Sequence, residues 1–435
     1  MQKALKIQIV SRYLPIENAS GNSAYVLDFI NYLCQIGCQI ECLVLYPSPY
    51  GKVPWCVVPP TLRKNAKVVA RNSLRIGSIL LKYRTVPEYL AGLQRLLNKR
   101  LPKKLKERLF FNKKLKQILT QLLPSINLGV LPWDSFPSNE EITFASAQFA
   151  RFKPDVVIAN YAYLGSMLDI LVPDESVLKV ILTHDILHER VAKYKAASTN
   201  SEIGDWNWDK ESTQLRKAQI LLAIQEEEAK TLKRMAPSSE VVCMPMSAVC
   251  HFHNSEKQIA GRCLFVGSSS PHNAYSIQWF LEKVWPLILQ SLPHSSLHIC
   301  GSVNDQFEGN FPNVRFLGRI PDLEPEYGAA QVCLVPLMVG SGLKIKLLEA
   351  LSHRRSCVST SIGIQGLTDV TSHGVIVADA AEDFAASVCM LLSHPDKRQY
   401  LEQQAHKYVT ERFSPEATYQ PFITRIHKHL NQEAS

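Results

Sequence analysis

Residues 332–351 read VCLVPLMVGSGLKIKLLEAL and combine a short apolar run, a glycine-rich loop and a longer apolar run of helical period. The pattern predicts a buried strand at 332–335 and a helix at 343–351. Backbone N–H groups at a helix N-terminus, together with the helix dipole, attract phosphate, and glycines let a ligand approach the backbone closely. The stretch therefore predicts an α/β fold with a phosphate site at a strand-to-helix turn.

Two charged residues interrupt the apolar helix. Glu349 stands among leucines, where an unpaired carboxylate costs free energy. Lys346, three residues earlier on the same helical face, or a hydroxyl group of a ligand is the expected partner. On these residues alone, an ordinary βα loop with an internal Lys–Glu pair is an equally good interpretation.

The segment at 340–350, GSGLKIKLLEA, resembles the nucleotide-sugar-binding segment of family 4 glycosyltransferases, the group 1 set with the GT-B fold. Flanking motifs, such as FVG at 265–267 and LHICG at 297–301, have the order and spacing of that family's C-terminal domain over about 100 residues. The resemblance implies two Rossmann-like, doubly wound α/β domains that face a central cleft, with a C-terminal helix that crosses back to the N-terminal domain. It also implies sugar transfer with retention of the anomeric configuration.

The chain of 435 residues is long enough for two domains with full cores. The N-terminal part opens as a βαβ unit, with a strand at 6–10, a loop at 15–23 and a helix that Gly37 closes before a strand at 39–46. The predicted organisation is an N-terminal acceptor-side domain at 1–246, a polar linker at 247–260, a C-terminal nucleotide-sugar-binding domain at 261–413 and a crossing helix at 414–435.

Positive charge is concentrated in one stretch of the sequence. Residues 62–117 carry 17 Lys or Arg against two Glu, whereas the rest of the chain is net acidic, within an overall net charge of +9. Leucines and isoleucines mix there with cations, which predicts a basic helical insertion whose helices have one apolar and one cationic face and lie on an anionic membrane surface. A pair of solvated helices is the alternative. Nucleic-acid binding is not expected, because aromatic side chains that stack on bases are sparse.

Sequence signals for export are missing from the N-terminus, MQKALKIQIVSRYL, which enters a strand directly. The 11 cysteines contain no CxxC pair or zinc-like spacing, and Cys34, Cys38 and Cys42 are expected to be buried free thiols. We find no apolar run long enough to span a bilayer. These features predict a cytoplasmic protein, peripheral at the inner face of the plasma membrane.

The resemblance assigns roles on the donor side. Backbone N–H groups and lysines stabilise the departing phosphate, and Glu349 accepts hydrogen bonds from the two ribose hydroxyls. The catalytic residues that it implies are His184, Lys346 and Glu349. The expected donor-binding residues are Gly267, Ser268, Gly301, Gly340, Ser341, Gly342, Leu343, Lys344, Lys346 and Glu349.

A strand is predicted at 177–182, and His184 follows just after its end. The carboxyl ends of sheet strands are where α/β proteins bind ligands, and a histidine there is well placed to contact one. The segment LTHDILHER at 182–190 resembles the family segment whose histidine faces the donor sugar, which is His184 here. The expected acceptor-side residues are Gly21, Asn22, Asn160 and Arg190. At the first two of these positions the family has a Gly-Gly pair, whereas this chain has Gly21-Asn22.

The sequence departs from the family pattern at two places. Many members carry a first glutamate that would fall at Ser341, and many carry basic residues after the strand at 263–266, where this chain offers His272 and Asn273. Lys344 or Lys346 is then expected to hold the diphosphate. The chain has no DxD pair, so we expect neither a metal nor a cofactor besides the nucleotide-sugar donor.

Two other functions remain open from the sequence. A nucleotide-sugar epimerase uses the same fold, but it has no need for the membrane-bound partner that the basic stretch predicts. A catalytically degenerate scaffold protein would explain the missing first glutamate. The interpretation favoured by His184, the glycine loop, Lys346 and Glu349 together is a transferase that acts on a lipid-linked or polysaccharide acceptor.

Overall fold

The computed structural model describes residues 4–16, 21–46, 55–82, 133–171, 174–196, 204–251, 257–307, 309–340 and 343–433. The chain divides into two compact α/β units, each with its own parallel sheet. The first unit comprises Met1–Ala223, Ala229–Val242 and Arg425–Ser435, and the second comprises Ile224–Glu228 and Cys243–Thr424.

The first unit contains strands that carry the labels β1 to β10 here. They are β1 (Lys6–Tyr13), β2 (Gln39–Tyr46), β3 (Trp55–Val57), β4 (Lys67–Ala70), β5 (Ser73–Ile76), β6 (Ile79–Lys82), β7 (Val156–Asn160), β8 (Leu178–Leu182), β9 (Ile220–Ala223) and β10 (Glu240–Cys243).

Seven of these strands form the main sheet in the order β10-β9-β8-β7-β1-β2-β4. β1 runs parallel to both neighbours, with Ile9 opposite Cys42 in β2 and Ile158 in β7. All three side chains are buried, as expected for strands that are covered on both faces. The parallel arrangement brings the carboxyl ends of β1, β7 and β8 to one edge of the sheet.

Helices of the first unit follow the predicted apolar periodicity. The one at Asn139–Phe152 begins with a capping box, in which the Glu141 amide donates to Ser138 Oγ (3.3 Å) and the Ser138 amide donates to Glu141 Oε2 (2.9 Å). The helical segments are Gly21–Gln35, Pro60–Asn65, Asn139–Phe152, Ala162–Leu171 (3₁₀), Leu187–Ala196, Trp208–Leu215 and Glu226–Met235.

The prediction of a basic helical insertion at 62–117 is wrong for most of its described part. Only Pro60–Asn65 is helical, and residues 67–82 form strands. β3, β6 and β5 make a small antiparallel sheet, whose hairpin turns at Gly77 (φ +58°). Leu74 and Ile76 alternate with the polar residues Ser73 and Arg75, and Gly77 adopts the positive φ of a tight turn, which together specify a hairpin rather than a helix. Residues 83–117 lie outside the described residues.

The second unit contains a parallel sheet of six strands in the order β13-β12-β11-β14-β15-β16. Their bounds are β11 (Arg262–Val266), β12 (Ser296–Cys300), β13 (Val314–Gly318), β14 (Val332–Val335), β15 (Ser356–Ser359) and β16 (Val375–Val377). Its helical segments are Pro271–Trp279, Phe280–Val284 (π), Trp285–Ser291, Ser302–Gln306 (3₁₀), Glu324–Ala329, Ile345–Ser352, Ile362–Ile364 and Thr368–Ser372 (both 3₁₀), Ala381–Ser393, Pro395–Phe413 and Pro415–Glu433.

The core of the second unit lies on both faces of its sheet, because neighbouring residues of a strand point to opposite faces. In β14, Leu334 joins the apolar cluster that contains Phe280 and Phe384, whereas Cys333 joins the cluster of the opposite face. That opposite cluster includes Leu347 and Leu351 of the helix Ile345–Ser352. The apolar side of this helix is therefore fixed against the sheet, which sets the direction of its charged side chains.

The C-terminal helix Pro415–Glu433 belongs to the second unit up to Thr424 and to the first unit from Arg425 onward. Arg425 Nε lies 3.1 Å from Glu240 Oε1, at the start of β10. None of the helices in the described ranges combines the length and the apolar character needed to cross a membrane.

Candidate functional site

Three neighbouring strands of the second unit place predicted donor-binding residues at one edge of the sheet. Gly267 and Ser268 follow β11, Gly301 follows β12, and Gly340 lies beyond β14. Ligands of open α/β sheets bind at the carboxyl ends of the strands. These residues lie up to 73 positions apart in the sequence. The order of the strands brings them together at the edge of the sheet where a ligand can bind.

Gly267 and Gly301 contact each other through their backbones. Gly301 has φ +100°, and a Cβ atom there would lie 2.1 Å from the carbonyl oxygen of Gly267. The Gly267 amide donates to the Cys300 carbonyl (3.0 Å), and the Val303 amide donates to the Gly267 carbonyl (3.2 Å). Only glycine fits at position 301. The close backbone contact between the loop after β11 and the loop after β12 therefore depends on this residue.

Lys346 contacts a residue that is remote in the sequence. Its ammonium group donates a hydrogen bond to Asn273 Oδ1 and lies 5.1 Å from the centre of the Phe265 ring. The side-chain nitrogen of Asn273, Nδ2, donates in turn to the backbone carbonyl oxygen and to the hydroxyl oxygen of Ser268, both at 3.1 Å. Asn273, which the sequence analysis treats only as a weak substitute for a basic residue, thus connects the two predicted donor loops.

Two ionisable groups in the cluster around Lys346 have lowered pKa values. Burial, and then the charge of Lys344, lower the pKa of Lys346 to about 7. Burial, and then Lys346 and Lys344, lower the pKa of His272 to about 4. Lys344 is 5% exposed, and its Nζ lies 3.5 Å from Gln365 Oε1. A bound anion would relieve this repulsion, which makes the cluster a suitable phosphate site.

Glu349 has a partner that sequence reasoning missed. The hydroxyl of Tyr327 forms a hydrogen bond with its carboxylate, and this bond and the charge of Lys346 partly offset the burial that raises the pKa of Glu349. Tyr327 is 1% exposed and stacks on His353, with ring centroids 4.2 Å apart. His353 stacks on His251 at the same separation. No motif connects Tyr327 with Glu349, because they lie 22 positions apart.

The helix that carries these side chains begins at Ile345, two residues later than predicted. Lys344 precedes its first turn, and its carbonyl accepts hydrogen bonds from the amides of Leu347 (2.9 Å) and Leu348 (3.1 Å). Leu343 is half-buried beside it. Ser341 and Gly342 lie outside the described residues, and their predicted donor contacts stay predictions.

A second cluster of predicted residues lies in the first unit around His184. Its Nε2 atom lies 2.6 Å from Asn160 Oδ1. Because Asn160 Nδ2 donates to Ser11 Oγ (3.0 Å), Oδ1 accepts, and the proton of the imidazole is on Nε2. Burial lowers the pKa of His184 to about 3. His184 is therefore a neutral ring in a fixed orientation.

The backbone beside this ring is strained. His184 has φ +48°, and Tyr161, on the neighbouring strand end, has φ +87°. A left-handed backbone is unusual for a bulky residue, and such outliers concentrate at functional sites. The Tyr161 ring lies 4.4 Å from the His184 ring, and the Tyr25 ring lies 5.4 Å from it. Sequence reasoning missed Tyr161, because no pattern of residue types predicts its φ.

The acceptor-side residues lie in the first unit. Gly21 and Asn22 form the first turn of the helix Gly21–Gln35, which corrects the expectation that the loop at 15–23 holds them. Asn22 donates a hydrogen bond to the Tyr161 hydroxyl. Arg190 Nη1 lies 2.7 Å from Asp185 Oδ2.

Asp185 follows His184 directly and is itself unusual. Burial raises the pKa of its carboxyl group, and Arg190 opposes this shift. Within the part of the chain that the structure describes, its Oδ1 atom is buried without a hydrogen-bond partner. The guanidinium of Arg190 also lies 5.6 Å from the Trp133 ring centre. Asp185, paired with Arg190 through Oδ2, therefore stands next to His184 with its Oδ1 atom able to accept a further hydrogen bond.

The predicted catalytic residues fall into two separate groups. Lys346 and Glu349 belong to the second unit, together with Lys344 and the glycine loops, whereas His184 belongs to the first unit. The donor-side and acceptor-side roles of these two clusters stay predictions. Among the described residues, no group of three or more His, Cys, Asp or Glu side chains is arranged to hold a metal ion.

The second unit is the part of the chain that is similar to a known protein family. A model of the family described as Glycosyl transferases group 1 matches residues 260–394. A curated relative, an uncharacterised 44.6 kDa protein in the cps region of Klebsiella pneumoniae, is 26% identical over 164 residues. That match covers 34% of this chain and 42% of the relative, so the chain spans less than half the length of this relative.

Solved structures resemble nearly the whole chain. Sucrose-phosphate synthase from Thermosynechococcus elongatus superposes with a TM-score of 0.64 at 16% identity, over 99% of this chain and 100% of that one. A glycosyltransferase from Rickettsia africae gives 0.61 at 10% identity, over 98% and 99%. Anabaena HepE in complex with UDP gives 0.57 at 10% identity, over 98% and 100%. The chain thus has the predicted GT-B fold, whereas its assignment to family 4 stays a prediction.

Proposed function

We propose that this protein is a glycosyltransferase that moves a sugar from a nucleotide-diphosphate sugar to a lipid-linked or polysaccharide acceptor, with retention of configuration. The cationic cluster of Lys344 and Lys346, with the uncharged ring of His272 beside it, carries the proposal. Besides burial, Lys344 lowers the pKa of Lys346, and both lysines lower the pKa of His272, so a bound anion would be stabilised at this cluster. The match of residues 260–394 to group 1 glycosyltransferases supports the same reaction class.

In this proposal the donor diphosphate lies against Lys344, Lys346 and the backbone of Gly267 and Ser268. The lysines stabilise the charge that develops on the leaving phosphate, as fixed cations do without being consumed. This role does not need a divalent ion, in accord with a sequence that lacks a DxD pair. HepE was solved in complex with UDP, so a uridine nucleotide is the first donor to test.

Glu349 is the proposed partner of the ribose. Its carboxylate can accept hydrogen bonds from two neighbouring hydroxyl groups, and Tyr327 fixes its orientation. Burial raises the pKa of Glu349, and the same burial strengthens any hydrogen bond that it makes to a ligand.

His184 is proposed to position the donor sugar. With a pKa of about 3, it stays neutral in neutral solution and has no proton to give as an imidazolium acid. We propose a front-face reaction in which the leaving phosphate helps to deprotonate the acceptor. The backbone carbonyl of His184 then stabilises the positive charge at the reacting carbon.

The acceptor is proposed to reach the protein at a membrane. The basic sequence at 62–117 favours an anionic bilayer as the surface, at the cytoplasmic face of the plasma membrane. The relative from a cps region gives this proposal its capsule-polysaccharide context. A lipid-linked acceptor fits both observations, and a polysaccharide end is the other acceptor to test.

The deciding experiment is a panel of nucleotides and nucleotide sugars, scored by the shift in melting temperature and by slow hydrolysis of the donor. We expect one nucleotide family to stabilise the protein and one sugar to be hydrolysed, with no loss on addition of EDTA. Lys346→Met should abolish both signals, whereas Lys283→Met, at an exposed lysine of the same unit, should retain them. If the folded protein neither binds nor hydrolyses any donor, the transferase proposal fails and a scaffold role replaces it.

A further inference from the structure

The small sheet β3-β6-β5 has one face that is entirely apolar. Directly paired residues share a face, and residues two apart along a strand do too. Trp55 pairs with Leu81, which pairs with Leu74, and Val57 pairs with Ile79, which pairs with Ile76. The six side chains of these two cross-strand rows, called the apolar sheet face below, are Trp55, Val57, Leu74, Ile76, Ile79 and Leu81.

This face is exposed. The accessible fractions are 57% for Val57, 56% for Ile76, 46% for Leu74, 40% for Trp55 and 39% for Ile79. These five are among thirteen exposed large apolar side chains of the described residues, so the exposure is concentrated here. Single exposed apolar residues are normal, but a contiguous set marks an interaction surface.

The opposite face of the same sheet behaves differently. Leu80, between Cys56 and Arg75 in the pairing, is 2% exposed, and the adjoining Val58 is fully buried. The sheet is therefore attached to the first unit through one face and presents the other outward. Strand alternation should place polar residues on an outward face that meets water, and here it places none.

The part of the chain that contains the apolar sheet face is strongly basic in sequence. Residues 55–82 contain six Lys or Arg and no Asp or Glu. Lys67 pairs with Glu41 (3.1 Å) and Arg71 with Glu140 (2.9 Å), whereas Arg63, Lys64 and Arg75 are exposed. The sequence continues through residues 83–117 with eleven more basic residues and two acidic ones.

We propose that the apolar sheet face inserts shallowly into an anionic lipid bilayer, to which the net positive charge of residues 55–82 attracts it. An apolar surface in a positively charged part of the chain combines hydrophobic burial with attraction to anionic lipid. A second copy of the chain would bring the same positive charge to the interface, and like charges oppose that contact. Trp55, at the end of one row, suits the headgroup level of a bilayer. The inference deepens the membrane part of the proposed function and moves it from helices to a sheet.

The test uses sedimentation of the full chain with sucrose-loaded vesicles of phosphatidylcholine, alone or with about one-third phosphatidylglycerol. Wild type should bind the anionic vesicles, and Val57→Thr/Ile76→Thr/Ile79→Thr should bind about tenfold more weakly. Threonine keeps the β-branched shape, so the strands should be retained. Val249→Thr is the matched control, because Val249 is 60% exposed outside this sheet. Ile76→Thr alone is the smaller change and should weaken binding about twofold.

A second readout locates the contact on the sheet. Brominated phosphatidylglycerol should quench the tryptophan fluorescence of wild type and quench Trp55→Phe clearly less. Arg63→Gln/Lys64→Gln/Arg75→Gln should reduce binding most at low salt, because screening already weakens the electrostatic attraction at high salt.

Several results would overturn the inference. They are unchanged binding of the threonine variant to anionic vesicles, equal binding of wild type to neutral vesicles, and a wild-type dimer that the threonine variant dissociates. Donor hydrolysis separates this inference from the proposed function, since the sheet variants should hydrolyse a nucleotide sugar as wild type does. Vesicle binding that depends on the sheet, in a protein without donor hydrolysis, would leave this inference standing and refute only the transferase.

Discussion

The Nε2 atom of His184 lies 2.6 Å from Asn160 Oδ1, on the neighbouring strand end. The chain of hydrogen bonds continues from Asn160 to the Ser11 hydroxyl and from there to the carbonyl of Tyr13 (2.8 Å). Three strand ends, those of β1, β7 and β8, therefore determine the tautomer and orientation of one imidazole.

Replacing His184 by alanine should lower the turnover of sugar transfer by about a hundredfold, because a reacting group loses its positioning. Nucleotide affinity, measured by calorimetry, should stay nearly unchanged, since the cationic cluster belongs to the second unit. His294→Ala, at an exposed histidine, is the control. Full activity of the His184→Ala protein would refute its catalytic assignment.

His184 should also make the free energy of unfolding depend on pH in acidic solution. Its pKa is about 3 in the folded state against an ordinary value of 6.5, so the unfolded chain binds the extra proton between those values. This contribution to stability is present above pH 6.5 and is lost as the pH falls toward 3, by up to about 1.4 kcal/mol per pH unit. Urea unfolding of wild type and His184→Gln between pH 7 and about 4.5 measures it. Parallel curves for the two proteins would contradict the lowered pKa.

Nucleotide binding should strengthen as the pH falls from about 8.5 toward 7, because the anion favours the charged form of a lysine whose pKa is about 7. At higher pH the cost of protonating Lys346 grows, by up to about tenfold in affinity per pH unit. Calorimetry in two buffers of different ionisation enthalpy would also detect the proton uptake. Lys346→Arg should remove the pH dependence over this interval, since arginine stays charged. An equal slope in that variant would assign the effect to another group.

Glu349→Ala should weaken donor binding by about 1–3 kcal/mol, the usual range for losing a charged or buried hydrogen-bond partner. Tyr327→Phe should weaken it by about 0.5–1.5 kcal/mol, because the carboxylate stays but loses the hydroxyl that orients it. The same variant should raise the pKa of Glu349 further, since the Tyr327 hydrogen bond lowers it. Donor affinity of Tyr327→Phe should therefore fall more steeply than that of wild type as the solution is acidified. An identical pH profile would show that Tyr327 only fills space.

Gly301→Ala should destabilise the second unit by about 3 kcal/mol or more, because a new Cβ would overlap the Gly267 carbonyl. Gly309→Ala is the matched control, since Gly309 has φ +117° with open space around its Cβ position. The control carries only the conformational strain, about 1–2 kcal/mol. Urea unfolding of both variants separates overlap from strain, and equal losses would contradict the overlap.

Much of the local structure could be predicted from residue patterns. The strand at 332–335 agrees with β14, and the helix closed by Gly37 ends at Gln35 with Gly37 at φ +88°. These signals depend on neighbours within a few positions, so they are complete in the sequence. The strands at 67–82, in a stretch predicted to be helical, also have a local signal, because Leu74 and Ile76 alternate with Ser73 and Arg75 directly before the turn at Gly77.

The site itself was decided by tertiary structure. The sequence alone determined which residue types follow each strand, including the glycine loop, Lys346, Glu349 and His184. It did not determine that Lys346 meets Asn273, that Tyr327 holds Glu349, or that Tyr161 adopts φ +87° against His184. Those relationships depend on which strands become neighbours in a sheet and on the space that packing leaves between them. Sheet order and packing join residues that are far apart in the chain, so no local pattern of residue types encodes these contacts.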